Sequence, residues 1–388
     1  MTDRISNSRY GQKAKLLFEP FLFGDLKLPN RIVMAPLTRM RVPEPDAVPN
    51  ALMREYYEQR ATAGLIITEG TFVSDQARGW FAAPGIYTEA QRKGWQAITD
   101  AVHRAGGHVF VQLWHQGSVT NRHFVGNGRF PLGPSAVNPE QLLHTGYGAT
   151  EMTSVPRAMT QEDIRQTVAD FRHAAQVARD AGFDGVQIQG GFAYLFQQFL
   201  QENLNLRTDE YGGTVENRAR ILFEVLEAVL EVWPSQRVGV KGGPMMPERG
   251  GFQSLASTLP TSEYVYRRLN DYNLSHVMVM RQLADLTGTP LQAMEGDGVL
   301  HRFRPLYRGT LMLNAGIDAA HAEDLLQQGL GELIAFGREY IANPDLVERL
   351  RLGGPLNEQR PETYYGPGAE GYTDYPTLAQ LTTGVTHG

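Results

Sequence analysis

Several polar and aromatic side chains of this sequence fall at or just after short apolar runs. Gln189 closes the run Gly185 to Gln189, and Phe192 and Tyr194 follow it. A tyrosine hydroxyl can act as a general acid. A glutamine amide offers hydrogen-bond donors to an oxygen, and phenylalanine offers none. Gln112 and Trp114 lie near the end of another run, His108 to His115, and share one facing by the period of two. Two such side chains at a strand end are unusual for packing alone. His115 points the other way and reads as a structural histidine. Lys241 follows Val238 to Val240; buried there without an anion it would be costly, so a partner is expected. Ala315-Gly316 and Gly337-Arg338 follow two further runs. Glycines free backbone N–H groups for phosphate oxygens, and Arg338 can add a charge-assisted pair.

The elements that must position these groups are short, apolar and strand-like, as fully buried parallel strands are. They are Arg31 to Leu37, Leu65 to Val73, His108 to His115, Gly185 to Gln189, Val238 to Val240, His276 to Met280, Leu311 to Asn314 and Leu333 to Phe336. Helical patterns separate most of them. Thr88 and Gln91 form a capping box ahead of Trp95, Ile98 and Val102. Thr160 precedes Ile164, Val168, Phe171, Ala175 and Ala178, one helical face. Asn217 to Glu231 carries Leu222, Val225 and Val229, and Asn343-Pro344 reads as an N-cap with proline at the first helical position. Strands alternating with helices predict an α/β fold, a (β/α)8 TIM barrel. The competing doubly wound sheet lacks a GxGxxG after its first strand. Pro20 to Pro29 predicts an N-terminal hairpin that could cover the barrel's bottom. Ser118 to Arg157 and Pro244 to Thr258 are long βα-loop insertions. Residues 1–15 read as a flexible arm and 16–388 as one barrel domain.

The chain of 388 residues, 42% hydrophobic, suits one large core, and its net charge of −6 argues against nucleic acid or a polybasic membrane role. With no cysteine there is no disulfide, thiolate metal site or cysteine nucleophile. The start of the chain is polar and resembles no signal peptide, and no apolar run is long enough to span a bilayer. A soluble cytoplasmic protein is expected, with a small-molecule substrate as its partner.

The segment NxRTDEYGGxxENR at Asn205 to Arg218 resembles the Old Yellow Enzyme family of FMN-dependent barrel oxidoreductases. So do APLTR at Ala35 to Arg39, IANPDLVERL, and TYYGPGAEGYTDYPTL. The likeness runs from roughly Leu17 to Leu378. It implies a non-covalent FMN with NAD(P)H as reductant. By this likeness the backbone of Ala35, Pro36 and Leu37 and the Thr38 hydroxyl meet the flavin ring. Gly70 lets the ring lie against backbone, and Gln112 meets its pyrimidine edge. Lys241 stands where the family has arginine, offering a cation but no planar fork. Ala315, Gly316, Phe336, Gly337 and Arg338 form the phosphate end. Trp114 and Tyr365 line the substrate pocket. On the residue alone, Thr38 reads as a turn cap and Gly70 as a turn glycine.

The chain departs from the family at the end of the fourth strand. The family carries His-x-x-Asn or His-x-x-His and then a tyrosine; here the positions are Gln189, Phe192 and Tyr194. In the family, NAD(P)H reduces the flavin, which passes hydride to the β-carbon of an α,β-unsaturated carbonyl. The pair binds the carbonyl oxygen, and the tyrosine protonates the α-carbon. The resemblance therefore implies an ene-reductase with Tyr194 as proton donor and an altered oxyanion pair. The alternatives are a rewired flavoenzyme (a dehydrogenase, isomerase or cyclisation catalyst) and a flavin-binding protein without turnover.

Overall fold

The computed structural model describes residues 15–125, 129–243 and 250–383. Except for Lys15, the expected arm over 1–15 lies outside them, as does Pro244–Glu248 with Arg249 in the insertion that follows the fifth strand. Eight parallel strands close into a barrel: β1 (Ile32–Met34), β2 (Leu65–Phe72), β3 (Val109–Trp114), β4 (Gly185–Gln189), β5 (Val238–Lys241), β6 (His276–Met280), β7 (Leu311–Asn314) and β8 (Leu333–Phe336). Each expected strand is present. β8 pairs with β1, which closes the ring.

Strand alternation divides the core in two. Val33, Ala35, Leu65, Ile67, Phe110, Met278, Met312 and Leu333 pack together inside the barrel, whereas Ile32, Ile66, Val111, Val186, Val240 and Val277 belong to the larger cluster with the helices. Both faces are apolar, so periodicity in these runs is weak while their length is diagnostic. The hairpin forms from Phe21–Phe23 and Leu26–Leu28. Its Phe23, Leu26 and Leu28 join the inner cluster, so it plugs one end of the barrel. Gly24, at φ +60°, approaches the loop before β5: a Cβ there would lie 2.4 Å from the Gln236 carbonyl oxygen.

Two helices start as expected, with reciprocal capping boxes at Thr88 with Gln91 and Thr160 with Asp163. The expected start at Asn343-Pro344 is corrected. Asn343 instead ends the helix Arg338–Ala342, and its Nδ2 donates to the Glu339 carbonyl at 2.8 Å. The next helix, Leu346–Leu352, starts at Asp345. The insertion after β3 contains an antiparallel hairpin, Leu142–Gly146 with Ala149–Met152. No helix among the described residues is long and apolar enough to cross a membrane.

Candidate active site

A cavity of about 780 Å³ opens at the C-terminal ends of the barrel strands, and every candidate residue named from the sequence lines it. The loop after β1 brings Ala35 to Thr38, β3 brings Gln112 and Trp114, and β5 ends in Lys241. The segment after β4 brings Phe192 and Tyr194 beside Gln189, and Tyr365 reaches in from near the C-terminus.

Gln189 and Lys241 are register partners on β4 and β5. Lys241 is 3% exposed and makes no ion pair with a described residue. Burial alone depresses its pKa to about 7. Its ammonium faces the Phe192 ring, 4.6 Å from the centroid. Phe192 is held at φ +55°, the left-handed region that a bulky residue avoids. Strain of this kind persists only where the surroundings over-determine it. Here Gly190 and Gly191 make the tight passage: a Cβ on either would lie within 3.0 Å of the Lys241 or Gly242 carbonyl oxygen.

At the β7 and β8 ends the backbone turns sharply. Ala315 (φ +77°) and Gly316 (φ +62°) are consecutive left-handed residues. Arg281 donates to the Gly316 carbonyl at 2.6 Å and the Ala315 carbonyl at 3.3 Å, and is itself paired with Asp297. His321 meets the same aspartate at 2.8 Å. Because these carbonyls face Arg281, the trans peptides turn the N–H groups of Gly316 and Ile317 away from it. Arg338, which lines the same cavity, is exposed and makes no ion pair with a described residue. Outward amides and a spare guanidinium form a setting suited to phosphate.

Aromatic rings build the rim. Trp80, His144 and Tyr365 meet with centroids 5.1–5.8 Å apart. Tyr194 stands edge-on to Trp114 at 4.9 Å, and Phe72 stacks on the other side at 5.2 Å. Gly70 has a reason the sequence did not suggest. A Cβ there would lie 2.4 Å from Trp114 Cε3, so the glycine makes room for the indole. Trp80 was missed because it sits in a loop without periodicity, and His144 because its short hairpin strand lies inside the long insertion after β3. His115 is neutral and structural: its Nδ1 accepts from the Gly117 N–H at 2.9 Å, and burial lowers its pKa to about 3.

The chain's last part is clamped to the β1 loop. Arg39 donates to the carbonyls of Tyr364 and Gly371, and Arg41 to those of Thr363, Gly368 and Glu370. Tyr56 stacks on Tyr372 at 4.0 Å beneath them. This holds Tyr364 and Tyr365 at the cavity.

The pattern of the NADH:flavin oxidoreductase / NADH oxidase family matches residues 16–357. The chain belongs to this family. It is 38% identical to 12-oxophytodienoate reductase 1 of Oryza sativa subsp. japonica, over 94% of each chain. It is 35% identical to 12-oxophytodienoate reductase 2 of Arabidopsis thaliana, over 93% of this chain and 96% of that one. Among solved structures, morphinone reductase superposes with a TM-score of 0.85 at 40% identity, covering 97% of this chain and 98% of the other. The old yellow enzyme homologue of Zymomonas mobilis gives 0.85 at 38% identity, covering 93% and 99%. As a member of the Old Yellow Enzyme family, the protein is an FMN-dependent oxidoreductase that draws electrons from NAD(P)H.

Proposed function

We propose that the protein is an ene-reductase for a strongly polarised alkene, with Tyr194 as proton donor and Gln189 as the one donor of the usual pair. The observation that carries this reading is the convergence, in one cavity, of Tyr194, Gln189 and the buried Lys241, which makes no ion pair with a described residue. The residues fit FMN. Lys241 would meet the negative charge of the reduced ring, Gln112 its polar edge, and Arg338 with the Ala315-Gly316 turn its phosphate. When bound, FMN supplies the two-electron store that NAD(P)H fills and the alkene empties.

The residues of the chain set the substrate class. Gln189 Oε1 accepts from the Gly191 N–H at 3.2 Å, and Nε2 gives one hydrogen to Gln112 Oε1 at 3.3 Å. Its second amide hydrogen remains for a substrate oxygen. Phe192 adds no donor, and losing one oxyanion donor costs roughly 10²–10³ in rate. The favoured substrate is therefore an alkene that needs less activation, such as a nitroalkene or one bearing two carbonyls. Phe192, Trp114 and Trp80 favour an aromatic or extended body. Tyr194, kept in orientation by the Trp114 edge, gives its hydroxyl proton to the carbon next to the activating group. The names of the relatives, reductases of 12-oxophytodienoate and of morphinone, support reduction of this kind.

The test is anaerobic. The yellow protein is bleached with NADPH and then mixed with a nitroalkene or a simple cyclic enone. Fast recolouring by the first and slow recolouring by the second is expected. If no activated alkene restores the colour, the reading is wrong.

A further inference from the structure

A chain of hydrogen bonds crosses the barrel and ends at the cavity. Gln112, Gln187, Gly239 and His276 form one registered row across β3, β4, β5 and β6. Gly239 leaves a gap in that row. A Cβ there would lie 2.0 Å from His276 Cε1, so the imidazole spans the gap and reaches β4. His276 Nε2 meets Gln187 Nε2 at 2.7 Å, Gln187 Oε1 accepts from Gln112 Nε2 at 2.6 Å, and Gln112 Oε1 accepts from Gln189 Nε2 at 3.3 Å.

Backbone groups at both ends fix the direction of the chain. The Gly191 N–H can only donate, so the Gln189 atom it meets is oxygen. The Gln189 nitrogen then donates to Gln112, Gln112 to Gln187, and Gln187 to His276. His276 Nε2 must therefore accept and Nδ1 must carry the proton, which goes to Ser275 Oγ at 3.0 Å. The serine hydroxyl in turn donates to the Val238 carbonyl at 2.9 Å, and a carbonyl can only accept. An imidazolium would set N–H against N–H. Burial agrees, lowering the His276 pKa to about 3.

We propose that His276, which does not line the cavity, is a positioning residue for the reaction. As the Nδ1–H tautomer it accepts from Gln187 and so holds the amides of Gln187, Gln112 and Gln189 in the arrangement that leaves hydrogens of Gln112 and Gln189 for flavin and substrate. The proposal rests on the reading of Gln112 as a flavin contact and Gln189 as a substrate donor. His276 packs between Phe23 and Phe110, with centroids 5.4 and 6.2 Å away, so His276→Phe keeps the packing and removes the acceptor. In His276→Gln the amide oxygen stands near the position of Nε2 and restores it.

Two measurements test this. The first is the long-range ¹H–¹⁵N spectrum of the histidines in the flavin-free wild type at neutral pH, with His276 assigned by its loss in His276→Phe. The Nδ1–H form is expected; the Nε2–H form or an imidazolium overturns the proposal. The second compares the midpoint potential of bound FMN and the split of KM against kcat. His276→Phe and Gln187→Met should each shift KM for the alkene by roughly two- to tenfold, the worth of one mis-set hydrogen bond. Together they should do no more than either alone, and His276→Gln should recover the wild-type values. Variants that lower only the melting temperature make His276 structural and overturn the role. Should His276→Phe fail to fold, Gln187→Met and the Gln variant still decide. A wild type that takes up no FMN overturns the underlying reading and with it the positioning role, while the tautomer spectrum still reports on the chain itself.

Discussion

The ammonium of Lys241 faces the ring of Phe192 across 4.6 Å. The ring offers a buried cation its quadrupole in place of a counter-ion. It does so from a left-handed backbone that a phenylalanine does not favour.

Phe192→Asn follows directly. Asparagine tolerates the left-handed region far better than phenylalanine and brings an amide donor to the cavity. Reduction of a simple cyclic enone should speed up by roughly 10²-fold, the worth of one oxyanion donor. Steady-state kinetics on an enone and a nitroalkene checks this: the gain should be larger for the enone. Equal gains would mean that Phe192 does not limit carbonyl activation.

Lys241 makes stability depend on pH. Its folded-state pKa is lowered to about 7 from 10.5, so between these values the unfolded chain holds a proton that the folded one lacks. Flavin-free protein should therefore gain stability as pH rises through this window, with the penalty complete below about 7. The gain is bounded at on the order of 5 kcal/mol. Denaturant unfolding of wild type and Lys241→Met at both ends of the window measures it as a difference. The gap should shrink when reduced FMN is bound, because the negative charge on the reduced ring favours the protonated lysine. A pH-independent difference would show that Lys241 is not titrating.

Tyr194→Phe should separate the two halves of turnover. Bleaching by NADPH should be unchanged, while recolouring by the alkene slows about 10²–10⁴-fold, the usual contribution of a general acid. Stopped-flow absorbance resolves both. Unaltered recolouring would remove Tyr194 from the proton path.

Gly70→Ala tests the packing beneath Trp114. The added Cβ would lie 2.4 Å from the indole, so the ring must shift. Overpacking of this kind costs about 1–3 kcal/mol. The shift would also disturb the edge-on contact with Tyr194, so the rate of recolouring should fall along with the melting temperature. A variant as stable and active as wild type would mean the indole has room to move.

The barrel was legible because strands buried on both faces leave short apolar runs, and because Thr88 carries its capping box in sequence. Asn343-Pro344 misled because a side chain that suits an N-cap here closes the helix before it. The strand ends could be read one at a time. What joins them could not. Gln187 shares its facing with Gln189 and was within reach of the period-two rule, but its bond to His276 depends on Gly239 being empty, a fact of register between distant strands. Trp80 reaches the rim from a loop and His144 from a hairpin strand in the insertion after β3, and no local pattern records the path of either.

Arg39 and Arg41 hold the segment around Tyr364 and Tyr365 by its main-chain carbonyls. Every residue type supplies a carbonyl, so this grip is indifferent to which side chains the segment carries. Position 365, whose ring meets the rim and not this grip, can therefore be exchanged without removing it, which makes it a natural target for redesigning selectivity.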